Sequence, residues 1–293
     1  MERMNELLEE MIPAMDINWY PGHMEKARRE MNEAVSSVDL VIELRDARAP
    51  LATSNPLLAG MIKDKPHLLV LTKKDKADPA ENARWLSYFE DKQKTLLFDL
   101  NRDPFKKELL AAIEELLKEK RERALRRGIR NKTFRALVVG IPNVGKSTFI
   151  NKLSGKKSLK TENRPGVTKS LAQIRLSEGL ALLDTPGVLW PKFSDPQTGV
   201  ILALIGSINP QIVDAKELAR QGVYHLLKEY PGRLHEYYGC EESSSVSTLE
   251  SIGSVKNWLQ KGGEVDMLKT AEQVLYDLRE EELRVSWEKA DAE

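Results

Sequence analysis

Little in this chain can be cross-linked, exported or embedded in a lipid bilayer. Of its 293 residues one is cysteine, Cys240, which excludes an internal disulfide. The four histidines, His23, His67, His225 and His235, have no metal-ligand spacing with it, so no zinc site is expected and a reducing, cytoplasmic setting is. No apolar run reaches the roughly 18 residues of a membrane span. Residues 1–15 mix Glu with Leu and Met rather than setting a basic flank before an apolar core, so neither export nor membrane insertion is expected. Net charge is lacking too: Lys plus Arg equals Asp plus Glu at 45 each, so any nucleic-acid contact must come from local patches.

What is present is enough apolar material, 41% of residues, for a sizeable core and two domains. Met4, Leu7, Leu8 and Met11 form one stripe, so residues 1–16 are expected as an amphipathic helical extension. After Pro21-Gly22 the pattern alternates: helix 23–36, strand 38–44, loop 46–56, strand 68–71, helix 79–91, strand 94–99 and helix 104–127. It resumes with strand 134–139, a helix from Lys146, a hairpin over 170–176 and 179–184, and a helix at 196–206. Strands alternating with helices imply a mostly parallel sheet with helices on both faces, an α/β domain over 17–206. Beyond Asn209-Pro210 the period is helical only, with Ala271, Val274, Leu275 and Leu278 on one face, so 207–293 is expected as a small all-α domain.

The chemistry begins at Gly140-Ile141-Pro142-Asn143-Val144-Gly145-Lys146-Ser147, which fits G-x-x-x-x-G-K-S between a strand and a helix. In such a loop the backbone amides of Asn143, Val144, Gly145 and Thr148 and the helix N-terminus cradle phosphates, and Lys146 reaches the β and γ oxygens. The Ser147 hydroxyl suits magnesium. Asp184-Thr185-Pro186-Gly187 follows the apolar strand Leu180-Ala181-Leu182-Leu183, placing Asp184 to hold magnesium through water and the Gly187 amide to face the γ-phosphate. Between them, in Arg164-Pro165-Gly166-Val167-Thr168, Thr168 is the natural hydroxyl for magnesium and γ-phosphate, in a loop that could order with triphosphate and relax with diphosphate.

The base is read elsewhere, and earlier in the chain. Thr72-Lys73-Lys74-Asp75 follows the apolar strand Leu68–Leu71, and Asp75 can accept from both N1–H and the exocyclic amine of guanine while the Lys73 stem lies over the ring. Adenine lacks that donor pair, which disfavours ATP. Thr72 stands where this element more often begins with Asn; it keeps a hydroxyl but loses the amide that braces neighbouring loops. A second base-contacting loop is expected after strand 94–99, where the sequence reads Phe98-Asp99-Leu100-Asn101 rather than the frequent Ser-Ala. Because the base-reading element precedes the phosphate loop, the domain is expected to be a circularly permuted P-loop GTPase fold.

With Trp19-Tyr20-Pro21-Gly22-His23-Met24 ahead of the permuted motifs, the chain closely resembles the ribosome biogenesis GTPase A family of bacteria, which has mitochondrial relatives. The resemblance spans most of residues 17–290. It implies GTP hydrolysis in late assembly of the large (50S) ribosomal subunit, stimulated by the particle, with rRNA as a partner and 207–293 as its binding domain. It also implies that the histidine matching His23 assists hydrolysis. That role has a gap to fill, because Val188 follows Gly187 where many GTPases carry a water-orienting Gln. An imidazole after a Pro-Gly turn could polarise the water, or His23 could simply pack the Trp19-Tyr20 turn. Asn143, in Pro-Asn-Val-Gly-Lys-Ser, accompanies a bridging potassium ion in related GTPases. The other class of function is a GTP-controlled docking module in which hydrolysis only resets binding. A monomer is expected, and DNA is not expected as a partner.

Residues 118–135 hold nine Lys or Arg against two Glu, including Arg121, Arg123, Arg126, Arg127, Arg130 and Lys132. The cluster could contact rRNA phosphates or be a solvated helix face. Residues 210–293 are more acidic than basic, so RNA binding there needs a sorted face, with Lys256, Lys261 and Lys269 as its candidates.

Overall fold

A computed structural model describes residues 24–62, 65–155, 172–177, 179–184, 195–209, 212–281 and 283–290. The expected extension at 1–16 lies outside them. Described residues within 24–184, together with 288–290, form one compact unit, and those within 195–287 form another.

The first unit is a six-stranded sheet: β1 Leu40–Asp46, β2 His67–Thr72, β3 Lys94–Leu97, β4 Phe134–Val139, β5 Ala172–Ser177 and β6 Leu180–Asp184, in the order β3-β2-β1-β4-β6-β5. All neighbours run parallel except β5, which pairs antiparallel with β6 as a hairpin. Leu68, Leu69, Val70 and Leu71 are fully buried, which is why β2 reads as a continuous apolar run rather than an alternating one. The helices of this unit are α1 Met24–Ser36, which precedes β1, and α2 Pro56–Met61, α3 Pro79–Glu90, α4 Lys106–Arg126 and α5 Lys146–Ser154, which connect successive strands. Met31, Ala34 and Val35 of α1 pack with Val41, Leu58, Leu137 and Val139, while Trp85 and Phe89 of α3 pack with Leu69, Leu71 and Ala47.

Helix α2 is unanticipated by periodicity. Its signal is local: Asn55 accepts from the Leu57 amide and Pro56 opens the helix, so an Asn-Pro pair read as the end of a loop is a helix start. Strand β3 stops at Leu97, short of the expected 99, because the Asp99 carboxylate accepts from the Asn101 amide at 2.7 Å and turns the chain.

In the second unit, α6 Pro196–Leu204, α7 Ala215–Glu229, α8 Arg233–Tyr238, α9 Ser245–Val255 and α10 Met267–Glu280 form an all-helical bundle. The expected apolar face is present: Ala271, Val274, Leu275 and Leu278 are buried. Gly222 of α7 allows close packing, since a Cβ there would lie 3.0 Å from both Leu204 and Leu278. Helix α6, read from sequence with the first domain, groups with the second because Arg279 of α10 donates to the carbonyls of Ala203 (2.8 Å) and Leu204 (3.1 Å). Residues 288–290 group instead with the first unit: the Glu288 carboxylate accepts from the amides of Leu51 and Ala52, both at 2.7 Å. Among the described residues no helix is long and apolar enough to cross a membrane.

Candidate functional site

The expected site residues that the structure describes collect at the C-terminal ends of parallel strands, where open α/β sheets bind ligands. Strand β4 runs into the loop 140–145, which closes onto α5. Gly140 has φ +153°, and a Cβ there would lie 2.6 Å from the Leu44 carbonyl oxygen of neighbouring β1, so no side chain fits. Asn143 (φ +61°) and Gly145 (φ +98°) are also left-handed, and Gly145 is the N-cap of α5 without a side-chain cap. This backbone shape turns successive amides inward and leaves the first turn of α5, with Ser147 and Thr148, open to an anion. Lys146 is buried and its ammonium donates to the loop's own carbonyls, Gly140 O at 2.9 Å and Ile141 O at 2.7 Å. That holds a cation over the concavity where phosphate charge belongs.

The base-reading element docks against this loop. Asp46 at the end of β1 is in register with Thr72 at the end of β2, and the fully buried Thr72 hydroxyl lies 2.7 Å from Val144 O and 3.1 Å from Arg45 O. It can donate to one at a time, and the shorter contact is to the phosphate loop. The expectation that threonine gives up the brace between loops is therefore corrected. The hydroxyl reaches a phosphate-loop carbonyl because the parallel sheet brings β2 and β4 to either side of β1.

Lys73, also left-handed at φ +59°, places its ammonium 2.9 Å from Asp46 Oδ2. Asp46 is fully buried and also accepts from the Arg48 guanidinium (3.0 and 2.8 Å) and the Arg48 amide (3.0 Å). Burial opposes ionisation of Asp46, but Arg48 and Lys73 overcome it and hold the carboxyl far below the usual carboxylate range. Burial pulls the Lys73 ammonium pKa down despite Asp46. One residue pair upstream, burial would raise the Glu43 carboxyl, yet Arg45, bound through both oxygens at 2.8 and 2.9 Å, and His67 hold it at about 2. Sequence reasoning passed over Asp46 and Arg48. Their one signal is the charged pair Asp46-Ala47-Arg48 directly after an apolar strand.

Asp75, the carboxylate expected to read guanine, is half-buried in a turn closed by the Lys76 amide on Lys73 O at 3.0 Å. Asn82 of α3 donates to Lys74 O at 3.1 Å, and Lys74 pairs with Asp103 at 3.3 Å. The loop 98–101 lies on the same side: the place of a Cβ on Gly145 is 3.1 Å from Leu100 and 4.0 Å from the Thr72 hydroxyl. Beneath it, Phe98, Phe105 and Phe149 form an aromatic column with centroids 5.3 and 5.6 Å apart, linking this loop to α5.

Ser147, a hydroxyl of the kind magnesium accepts, lies in the first turn of α5, and the backbone of Asp184, at the end of β6, pairs in register with Val138 of β4. His23, Thr168 and Gly187 lie outside the described residues.

Residues 135–230 match the family model described as 50S ribosome-binding GTPase. Over 281 residues the chain is 41% identical to ribosome biogenesis GTPase A of Bacillus licheniformis, covering 94% of this chain and 99% of that one. Over 268 residues it is 43% identical to the Bacillus cereus protein of the same name, covering 90% of each. Its fold is similar to the crystal structure of GNP-bound YlqF from T. maritima, with a TM-score of 0.65 and 26% identity over 92% of this chain and all of that one.

Proposed function

We propose, for a chain that belongs to the ribosome biogenesis GTPase A family, that its GTP hydrolysis drives late assembly of the large (50S) ribosomal subunit in the cytoplasm and is stimulated by the maturing particle. The observation that carries this reading is the Thr72–Val144 hydrogen bond. It joins a guanine-reading loop and a phosphate loop that stand in inverted order along the chain, so one nucleotide spans both.

In this reading Asp75 accepts the two guanine donors, the Lys73 stem covers the ring, and Thr72 sets the spacing between base and phosphates. The amides of Asn143, Val144, Gly145 and Thr148 hold the phosphates, and Lys146 turns from its carbonyls to the β and γ oxygens. Ser147, Thr168 and Asp184 would hold magnesium, and Asn143 would help hold potassium; both ions, when bound, offset phosphate charge as it redistributes. The Gly187 amide faces the γ-phosphate. His23 polarises the attacking water in place of the Gln that Val188 displaces. The protein acts as a monomer on its particle.

The test is GTP turnover measured with and without purified large subunits, for the native chain and His23→Ala. Strong stimulation that His23→Ala loses, at unchanged nucleotide affinity, supports the reading. Binding to the particle without stimulation would leave a docking module in which hydrolysis only resets the bound state, and equal turnover in His23→Ala would remove the histidine from the chemistry.

A further inference from the structure

Charge is sorted between the two units in a way that the ribosomal reading does not by itself require. Residues 195–287 carry fifteen Asp or Glu against nine Lys or Arg, and residues 118–135 carry two Glu against nine Lys or Arg. Three arginines of the helical unit are engaged in its architecture: Arg279 on the carbonyls of Ala203 and Leu204, Arg233 on those of Leu283 and Arg284, and Arg220 with Glu217 and Ser245. A polyanion therefore meets more repulsion than attraction on that unit.

The basic segment divides differently. Lys132 pairs with Asp39 at 2.9 Å, Lys120 donates to Asp39 O at 2.7 Å, and Arg121 pairs with Glu114 at 2.7 Å. Lys132 and Arg121 also lie over the buried Phe134 ring, at 4.6 and 5.1 Å from its centroid. These cations hold together the N-terminal ends of the central strands β1 and β4. Arg123, Arg127 and Arg130 do not: all three are exposed, and they have no ion-pair partner among the described residues. The helix dipole accounts for a cation in the last turn of α4, such as Arg123, but Arg127 and Arg130 lie beyond its last residue.

These side chains stand on an ordered support. At the end of α4 the amides of Arg127 and Ile129 both donate to Ala124 O, and that of Gly128 to Leu125 O, so the turn that carries Arg127 and leads directly to Arg130 is hydrogen-bonded rather than splayed. Residues 125–133 are exposed without a break, Leu125 at 58% and Ile129 at 49%. The segment 118–133 contains no aromatic residue, so it offers no ring on which an unpaired base could stack. What it offers is guanidinium forks, which suit phosphate oxygens bidentately, about 6 Å apart along the helix between Arg123 and Arg127.

We propose that Arg123, Arg127 and Arg130 form a docking surface on the G-domain unit for the phosphate backbone of double-helical RNA. This rests on the ribosomal reading above for its choice of RNA over other polyanions. Recognition here is of backbone and shape, independent of sequence, and it gives the G domain its own grip on the particle beside whatever the helical unit contacts.

The test compares the full-length chain with the Arg123→Glu/Arg127→Glu/Arg130→Glu variant, at saturating non-hydrolysable GTP analogue, against two probes across a KCl series: purified large subunits and a 20-base-pair RNA duplex. None of the three residues lies in the nucleotide site, so analogue affinity serves as the folding control. The expected result is a loss of at least about tenfold in affinity for both probes, with the slope of log affinity against log salt shallower by roughly one per lost phosphate contact. Unchanged affinity and slope on both probes overturn the surface. Equally effective competition by polyglutamate of matched charge also overturns it, in favour of an acidic protein partner. Native protein that binds the duplex through these arginines but ignores large subunits refutes the ribosomal reading while leaving the RNA surface standing.

Discussion

The side expected to read the base and the phosphate loop meet at the Thr72–Val144 hydrogen bond, yet they hold their shapes by different means. The phosphate loop is held by backbone: left-handed Asn143 and Gly145, Gly140 against the Leu44 carbonyl, and a lysine that caps the loop's own oxygens. The base side is held by side-chain charge: Asp46 beneath Arg48 and Lys73, Glu43 beneath Arg45, and a lysine–aspartate pair at its rim. Backbone shape tolerates changes of pH and salt but not an added methyl group. A buried charge cluster tolerates neither the loss of one partner nor strong acid, because the remaining charge has no solvent to turn to.

The largest expected effect lies on the base side. Asp46→Asn removes the buried negative charge that both Arg48 and Lys73 pair with and is expected to cost about 3–5 kcal/mol in denaturant unfolding. Asp46→Leu with Arg48→Met should recover most of that stability while lowering nucleotide affinity, since Lys73 loses its anchor; a single substitution costing under about 1 kcal/mol would show that charge does not hold this side. Next, Gly140→Ala should displace the loop from Leu44 at a strain of about 1–3 kcal/mol. It is expected to weaken GTP binding roughly tenfold to a hundredfold in a fluorescence titration, and native affinity would mean that the close approach is not rigid.

The bond between the two sides comes third. Thr72→Val removes the donor to Val144 O and is expected to cost about 1–2 kcal/mol, with Thr72→Ser retaining most of it. Equal losses in both variants would assign the effect to packing rather than to the hydroxyl. A fourth effect is confined to acid. Glu43 is held at about 2 against an ordinary 4.5, so its contribution is complete above about pH 4.5 and drains away as pH falls towards 2. Glu43→Gln should flatten the pH dependence of stability in that window and leave the phosphate loop's hydrogen-exchange protection unchanged; an unaltered slope would mean that Arg45 and His67 do not stabilise the carboxylate.

The same division explains what could be read along the chain. The phosphate loop was legible because its geometry needs specific residues in one contiguous stretch, and the parallel strands because Leu68–Leu71 of β2 and Ala136–Val139 of β4 are continuous apolar runs. The turn at Lys73–Lys76 was legible from its place after a buried strand. The aromatic column of Phe98, Phe105 and Phe149 was not, since its members are spread over 51 positions and no local rule joins them. Nor was α2, whose Asn55-Pro56 start resembles a loop until the Asn55 side chain is seen to cap it.

By itself, then, the amino-acid order determined the α/β class, the all-helical remainder, the place of Thr72–Asp75 ahead of the phosphate loop, and the glycines that this loop cannot do without. These are consequences of short-range sterics and periodicity, which a single strand or turn already contains. Only the tertiary structure decided that Thr72 braces Val144, that Lys73 is anchored by Asp46, that α6 packs with the helical unit, and that Arg123, Arg127 and Arg130 are left exposed while their neighbours are paired. Each of these depends on which strands or helices lie side by side, and that is set by burial of a whole unit rather than by any residue in it.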